Sequence, residues 1–470
     1  MRTLKWIIPI TIAGVTSVAT ADNNFDFGKF SERDKSSSSM RMFGVRHGLD
    51  SSSLESITAD QAEANPLALI TLADGLHGSV VSAAPELGAN IDMMALWPNG
   101  NHPTHIIACN EQGVTDPGVQ RISLATGAVE TILTGTTSCD PTHVTPWGTI
   151  LVGEESGSSG QLIEIFDPMH TTDVIYDRNT GVASSGAGAA NVVQRLAPGR
   201  TSFEGVAILS NGVMYYGDEN RPSEGTAGGA YFKFVPSTPY AGGAPITDPT
   251  ASPLAAGTVY GLRLGKRSGN TDYGQGTQTG LGVWVEIPGG PNANLRAAAA
   301  TLKLTGYYRP EDLAVDLAAQ AAGNVRACGN NTGNEEDDMN FGETICLTDG
   351  TLAEATAGTS TPMVQFLVIG NPEFAMMDNI AYQPGRGNWV IQEDGDGPSV
   401  YGRNNDVWDC VDDGADDDLL SDGCIRIATL NDLNAESTGG LFDARGRRYY
   451  LSVQHNVTGH GVIVRIDGFR

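Results

Sequence analysis

Residues 139–155 read Cys139-Asp140-Pro141-Thr142-His143-Val144-Thr145-Pro146-Trp147-Gly148-Thr149-Ile150-Leu151-Val152-Gly153-Glu154-Glu155. Thr145 to Thr149 form a tight Pro/Gly corner, Ile150-Leu151-Val152 reads as a short apolar strand, and the strand delivers Glu154 and Glu155 together at its end. Two adjacent carboxylates repel unless a cation holds both ionised, so a metal is one economical reading of the pair. A solvated loop that begins with two glutamates is the other.

The pattern recurs along the chain. Strand ends of the same kind stand at Ile106-Ile107-Ala108-Cys109-Asn110-Glu111, Met214-Tyr215-Tyr216-Gly217-Asp218-Glu219 and Val325-Arg326-Ala327-Cys328-Gly329-Asn330, then at Trp389-Val390-Ile391-Gln392-Glu393-Asp394 and Tyr450-Leu451-Ser452-Val453-Gln454-His455. The stretches leading into them also resemble one another, as Phe203-Glu204-Gly205-Val206-Ala207, Pro310-Glu311-Asp312-Leu313-Ala314 and Asp378-Asn379-Ile380-Ala381 show. With 59 glycines in 470 residues and no long 3.6-period apolar segment, the composition favours many short strands joined by tight turns. The expectation is an all-β chain in which about six similar units repeat radially, a six-bladed β-propeller behind a short N-terminal leader. The strands ending in polar residues are read as the inner strands, pointing carboxylates at one mouth of a central channel. A β-sandwich whose polar strand ends meet solvent is the alternative.

The chain opens with Met1-Arg2-Thr3-Leu4-Lys5, an apolar run to about Val18, and Ala19-Thr20-Ala21, the form of a Sec-type signal peptide over 1–21 without a twin-arginine pair. Residues 22–88 read as a Ser-rich mobile leader and N-terminal segment, with an Ala/Leu-rich stretch from Thr58 to about Ala84 as a helix or two. Residues 89–470 read as the propeller. The long interval between Glu219 and Asn330 predicts an extra hairpin or lid. Export to a periplasmic or extracellular compartment lets the six cysteines pair. By nearness the couples are Cys328 with Cys346, Cys410 with Cys424, and Cys109 with Cys139, one of 15 possible connectivities. A formal charge of −27 offers no basic face for nucleic acid. The expected partner is a small molecule, with neither nucleic acid nor membrane, and the chain is read as a monomer.

Glu204, Glu311 and Asp378 occupy equivalent places in the repeat, and Arg309 stands two residues before Glu311 in Tyr307-Tyr308-Arg309-Pro310-Glu311-Asp312. The arginine fork offers two parallel donors to an oxyanion such as phosphate, although a salt-bridged structural role is open as well. In T-P-W-G-T with Glu154-Glu155, Phe203-Glu204-Gly205-Val206, Gly229-Ala230-Tyr231-Phe232-Lys233-Phe234-Val235-Pro236, Arg309-Pro310-Glu311, and Asp378-Asn379 followed by W-V-I-Q-E-D, the sequence resembles the PhoX-type alkaline phosphatases and their wider family of secreted β-propellers.

The resemblance implies a metal-dependent hydrolase of phosphate esters, with calcium and iron held by carboxylates and a cysteine thiolate. Glu155, Glu204, Glu311 and Asp378 would be metal ligands, Cys139 the iron-bound thiolate, and Arg309 and Glu311 the catalytic residues. A Cys109–Cys139 bridge would remove the thiolate. Two rival readings share the scaffold: a non-catalytic calcium-stabilised binding propeller, and a calcium-dependent lactonase or other esterase. The acidic runs Glu335-Glu336-Asp337-Asp338 and Asp412 to Asp418 are candidate ion sites or solvated faces. Among the histidines, His455 has the best claim to the channel, and His143 reads as structural.

Overall fold

The computed structural model describes residues 38–222, 227–265, 278–333, 341–395, 402–413 and 419–470. The signal-peptide stretch and the run Glu335-Glu336-Asp337-Asp338 lie outside these residues, as do Gly414 to Asp418 of the second acidic loop. The described chain is dominated by short antiparallel strands in a propeller-like arrangement, and twelve of them position the site. They are β1 (Ile91–Trp97), β2 (His105–Asn110), β3 (Cys139–Val144), β4 (Ile150–Glu154), β5 (Val206–Ile208), β6 (Met214–Gly217), β7 (Pro310–Val315), β8 (Asn324–Asn331), β9 (Met377–Tyr382), β10 (Trp389–Glu393), β11 (Glu436–Phe442) and β12 (Arg448–Gln454). Each odd-numbered strand pairs antiparallel with the even-numbered strand that follows it.

The odd-numbered strands are the innermost. They abut one another in chain order, and β11 returns to β1, which closes a ring. The strands expected to be inner on the strength of their polar ends are therefore second in each sheet. Both readings place the polar residues at the same mouth, because the start of one strand and the end of its antiparallel neighbour lie side by side.

Hydrogen bonding groups the described strands into five sheets, one of nine strands, so six blades do not read directly off the sheets. The nine-stranded sheet arises where Gly280–Glu286 pairs with Met363–Ile369 and joins the units led by β5 and β7. Gly280–Glu286 pairs with Gly257–Leu264 as the extra hairpin expected in that interval.

Residues 22–37 of the expected leader lie outside the described residues. From residue 38 the chain joins the fold: Phe43 and Val45 are buried in the core beside Tyr449 and Leu451. After a short helix at Ala59–Ala64, strand Ile70–Leu72 pairs with Cys424–Leu430 and strand His77–Ser82 pairs with Val462–Asp467. Early and late chain thus share two sheets, and sheet edges that would otherwise stand open are covered.

All six cysteines are bridged as Cys109–Cys139, Cys328–Cys346 and Cys410–Cys424. The last two link directly opposed residues of neighbouring strands. Among the described residues no helix is long and apolar enough to cross a membrane.

Candidate metal centre at the channel mouth

Each innermost strand brings one carboxylate to the mouth at or just before its first turn of chain: Asp92 on β1, Asp140 on β3, Glu204 ahead of β5, Glu311 on β7, Asp378 on β9 and Glu436 on β11. All six are buried. The local cause is visible in the register. The pairing slips between Ile91 and Met94, Cys139 and Thr142, Pro310 and Leu313, and Met377 and Ile380, so Asp92, Asp140, Glu311 and Asp378 each sit inside a β-bulge. A bulge at a rim turns a side chain away from the regular alternation and aims it into a site. Gly205 serves the remaining junction: a Cβ there would lie 2.2 Å from the Leu313 nitrogen, so only glycine lets Glu204 approach β7 this closely.

The second strands add Glu111, Glu155, Glu219 and Asp394 from their ends. Asp92 lies beside Glu111 and Asp140, Glu155 beside Glu111, Asp140 beside Glu204, and Glu436 beside Asp378. Burial, reinforced by this mutual repulsion, pushes Asp92 up to about 6 and Glu155 up to about 7. It drives Glu111, Asp140, Glu204, Asp378 and Glu436 well above the ordinary carboxylate range. Glu311 rises to about 8 by burial even though Arg309 opposes the shift.

Two groups stand close enough to share an ion. Glu204, Glu311 and Asp378 each offer an oxygen within 4.8 Å of the others, and so do Asp92, Asp378 and Glu436, with Asp378 common to both. Asp140 carries the sharper sign: it is 1% exposed, and among the described residues neither of its carboxylate oxygens has a hydrogen-bond partner. A buried carboxylate without donors costs several kcal/mol unless protonated or bound to a cation, so the donor set fits a hard cation that takes oxygen ligands.

Arg309 lies among the acids, its guanidinium 2.9 Å from Glu219, 3.3 Å from Glu311 and 3.6 Å from Asp394. Its φ of +59° is unusual for a residue with a side chain, and the backbone is held there by bonds from Arg309 N to Asn220 O and from Thr332 N to Arg309 O. The Thr332 hydroxyl donates to Glu311 at 2.6 Å and fixes that carboxylate.

Glu155, Glu204, Arg309, Glu311 and Asp378 are therefore brought together. Cys139 is not a thiolate: its sulfur is bridged to Cys109, and a bridged sulfur has no charge to offer a metal. Glu154 does not share a cation with Glu155. Successive side chains on a strand face opposite ways, and Glu154 turns inward to Arg178 at 2.6 Å and the Thr137 amide at 3.1 Å. The Thr145–Thr149 corner is structural, since the Trp147 indole and the Thr149 hydroxyl both donate to buried Glu164 at 2.6 Å. His143 is half-buried and neutral, its pKa lowered to about 4 by desolvation, with its Nε2 accepting from the Val206 amide. His455 stands at the mouth, 3.9 Å from Glu436.

Sequence reasoning singled out none of Asp92, Asp140 and Glu436 as ligands. The signal was present for the first, because Asp92-Met93-Met94-Ala95 has the same acid-X-apolar-Ala form as Asp378-Asn379-Ile380-Ala381.

A family model described as alkaline phosphatase PhoX matches residues 98–456. Among solved structures, Pseudomonas fluorescens PhoX in complex with vanadate, a transition state analogue, is similar with a TM-score of 0.60 at 16% identity, over 89% of this chain and 98% of that one. The PQQ-bound aldose sugar dehydrogenase of Streptomyces coelicolor is similar at a TM-score of 0.43 and 12% identity, over 84% and 99% of the two chains. No sequence match to a curated protein is found.

Proposed function

Because this chain belongs to the PhoX alkaline phosphatase family, we propose that it is a metal-dependent hydrolase of phosphate esters whose ions are held by the carboxylate ring at the channel mouth. The observation that carries the reading is the ring itself: a buried carboxylate at the head of each of six innermost strands, with Arg309 beside Glu311. On this reading those strands head six blades, two of which share the nine-stranded sheet. The protein is exported, consistent with its three disulfides.

Glu204, Glu311 and Asp378 would hold one ion, and Asp92, Asp378 and Glu436 another. With Cys139 bridged, the available donors are oxygens, which favours calcium over iron. Bound calcium would supply Lewis acidity toward phosphoryl oxygens and charge for an attacking water. The chain's own residues do the rest. Arg309 presents a fork to the phosphoryl group, and Glu219, Glu311 and Asp394 hold that fork at the mouth. Thr332 keeps Glu311 in one orientation, so the ligand set needs little rearrangement when substrate arrives.

The test is hydrolysis of a chromogenic phosphate monoester by the purified protein, as isolated, after chelation, and after calcium is restored. Turnover should vanish on chelation, return with calcium, and be lost in Glu311→Ala and reduced in Arg309→Ala. The disulfide also favours a second reading, a calcium-stabilised propeller without phosphatase activity. Calcium binding with no turnover on any phosphate ester would select it.

A further inference from the structure

We propose that an arginine-lined pocket on the face opposite the carboxylate ring binds a polyanion bearing two or more phosphate or sulfate groups. The pocket, about 510 Å³, is lined by Arg41, Arg386, Arg445, Arg447 and Arg470, and no Asp or Glu is among its described lining residues. In a chain of formal charge −27, five arginines among eleven described lining residues are a marked reversal of sign. Its location follows from topology. The turns that build it, 383–388 and 443–447, follow the ends of β9 and β11, the strands that begin at the ring with Asp378 and Glu436. Strands of six and seven residues separate the two ends by about 17–20 Å.

Nearby acids are already engaged. Asp443 accepts from the amides of Arg447 and Arg448 at 2.9 and 3.3 Å, which orders the turn carrying Arg445 and Arg447. The adjoining hollow, which shares Arg41 and Arg386, is lined by Asp316, Asp412 and Asp422, of which Asp316 and Asp412 pair with Arg326 at 3.1 and 2.5 Å. Arg386 donates to the carbonyl of Arg41 at 2.8 Å and to the backbone oxygen of Arg470. Burial lowers its pKa despite the attraction of Asp409 behind it.

Clustered guanidinium groups repel one another, and an anion inserted between them removes that repulsion while their planar forks match phosphate and sulfate oxygens. One monovalent anion cannot balance five cations, so the complementary ligand carries several anionic groups on a frame that fits the concavity. Elsewhere the strongly negative field opposes anion approach, which directs such a ligand to this face. The ligand could be a free polyanion or the headgroups of a phosphorylated lipid; the recognising chemistry is the same.

The probe is myo-inositol hexasulfate, which has no phosphate ester for the ring to hydrolyse. Calorimetric titration of the whole protein at low salt should give saturable binding that weakens with added salt. Arg445→Glu with Arg447→Glu should weaken it about a hundredfold, about tenfold for each guanidinium that no longer donates to the anion. The melting temperature and phosphate-ester turnover should not change, and Arg309→Ala should bind as wild type does. Sedimentation with phosphatidylcholine vesicles, with and without phosphatidic acid, then separates the sources. Solution binding alone upholds the site for free polyanions, and added capture by the acidic vesicles upholds it for headgroups too. The proposal is overturned if wild type does not bind the probe, if the double variant binds equally well, or if binding is abolished only in Arg309→Ala.

Discussion

Remove the metal and the ring should make stability depend steeply on pH. Glu311 shows the size of the effect. Burial raises its pKa from 4.5 in the unfolded chain to about 8 in the folded one. A carboxyl with a raised folded pKa is protonated in the native state while the unfolded chain has already ionised. Its contribution is therefore complete below about pH 4.5 and is lost as pH rises through 8. At about 1.4 kcal/mol per pH unit, Glu311 alone removes about 3 kcal/mol between pH 4.5 and pH 7, as an upper figure for one member of an interacting ring. Bound cations do what the protons did, so the calcium-loaded protein should be nearly flat over the same range. Urea unfolding of the chelated protein at several pH values, with and without calcium, measures both. Glu311→Gln is neutral at every pH and should flatten the chelated slope by about one proton's worth, while the variant gains less from calcium. Equal slopes for wild type and Glu311→Gln under chelation, or a wild-type slope indifferent to calcium, would refute the reasoning.

Away from the ring, Asp409 on the strand Asp406–Cys410 is buried, bonded by Asn388, and pushed up to about 7. By the same sign, Asp409→Asn should leave stability at pH 4 unchanged and raise it by roughly 2–4 kcal/mol at pH 8, read by urea denaturation. Asp349 is fully buried and receives Lys233 at 2.9 Å, Tyr215 at 2.6 Å and Trp284 at 2.8 Å. Asp349→Ala strands a buried ammonium and two further donors and should cost about 3–5 kcal/mol in the same assay. Replacing Cys109 and Cys139 together by serine should lower the melting temperature while calcium-dependent turnover at pH 7 persists; loss of activity in a folded variant would mean that Cys139 serves the site as a ligand.

The sequence made the convergence legible and left the order of strands hidden. Lead-in residues such as Glu204, Glu311 and Asp378, and strand ends such as Glu155 and Asp394, repeat visibly because the channel mouth imposes one chemistry on every unit. Which of two antiparallel neighbours faces the axis is set by ring closure between strands far apart in the chain, and apolar pattern carries no trace of it. The bulges that aim Asp92 and Asp140 inward are likewise properties of a pairing register. Glu154 could have been separated from Glu155 by strand alternation alone; its actual partner, Arg178, is a tertiary contact. The role of Trp147 depends on Glu164, and the fate of Cys139 depends on Cys109. Both are distant pairings that local sequence leaves open.

The most direct test of the carboxylate ring is the metal content of the protein, measured by elemental mass spectrometry after dialysis against metal-free buffer. The result expected is calcium in at least the two-ion amount the paired triads allow, without iron, falling sharply in Asp378→Asn because that residue serves both. A folded protein that hydrolyses phosphate esters with no bound metal, or one that retains its full calcium in Asp378→Asn, would contradict it.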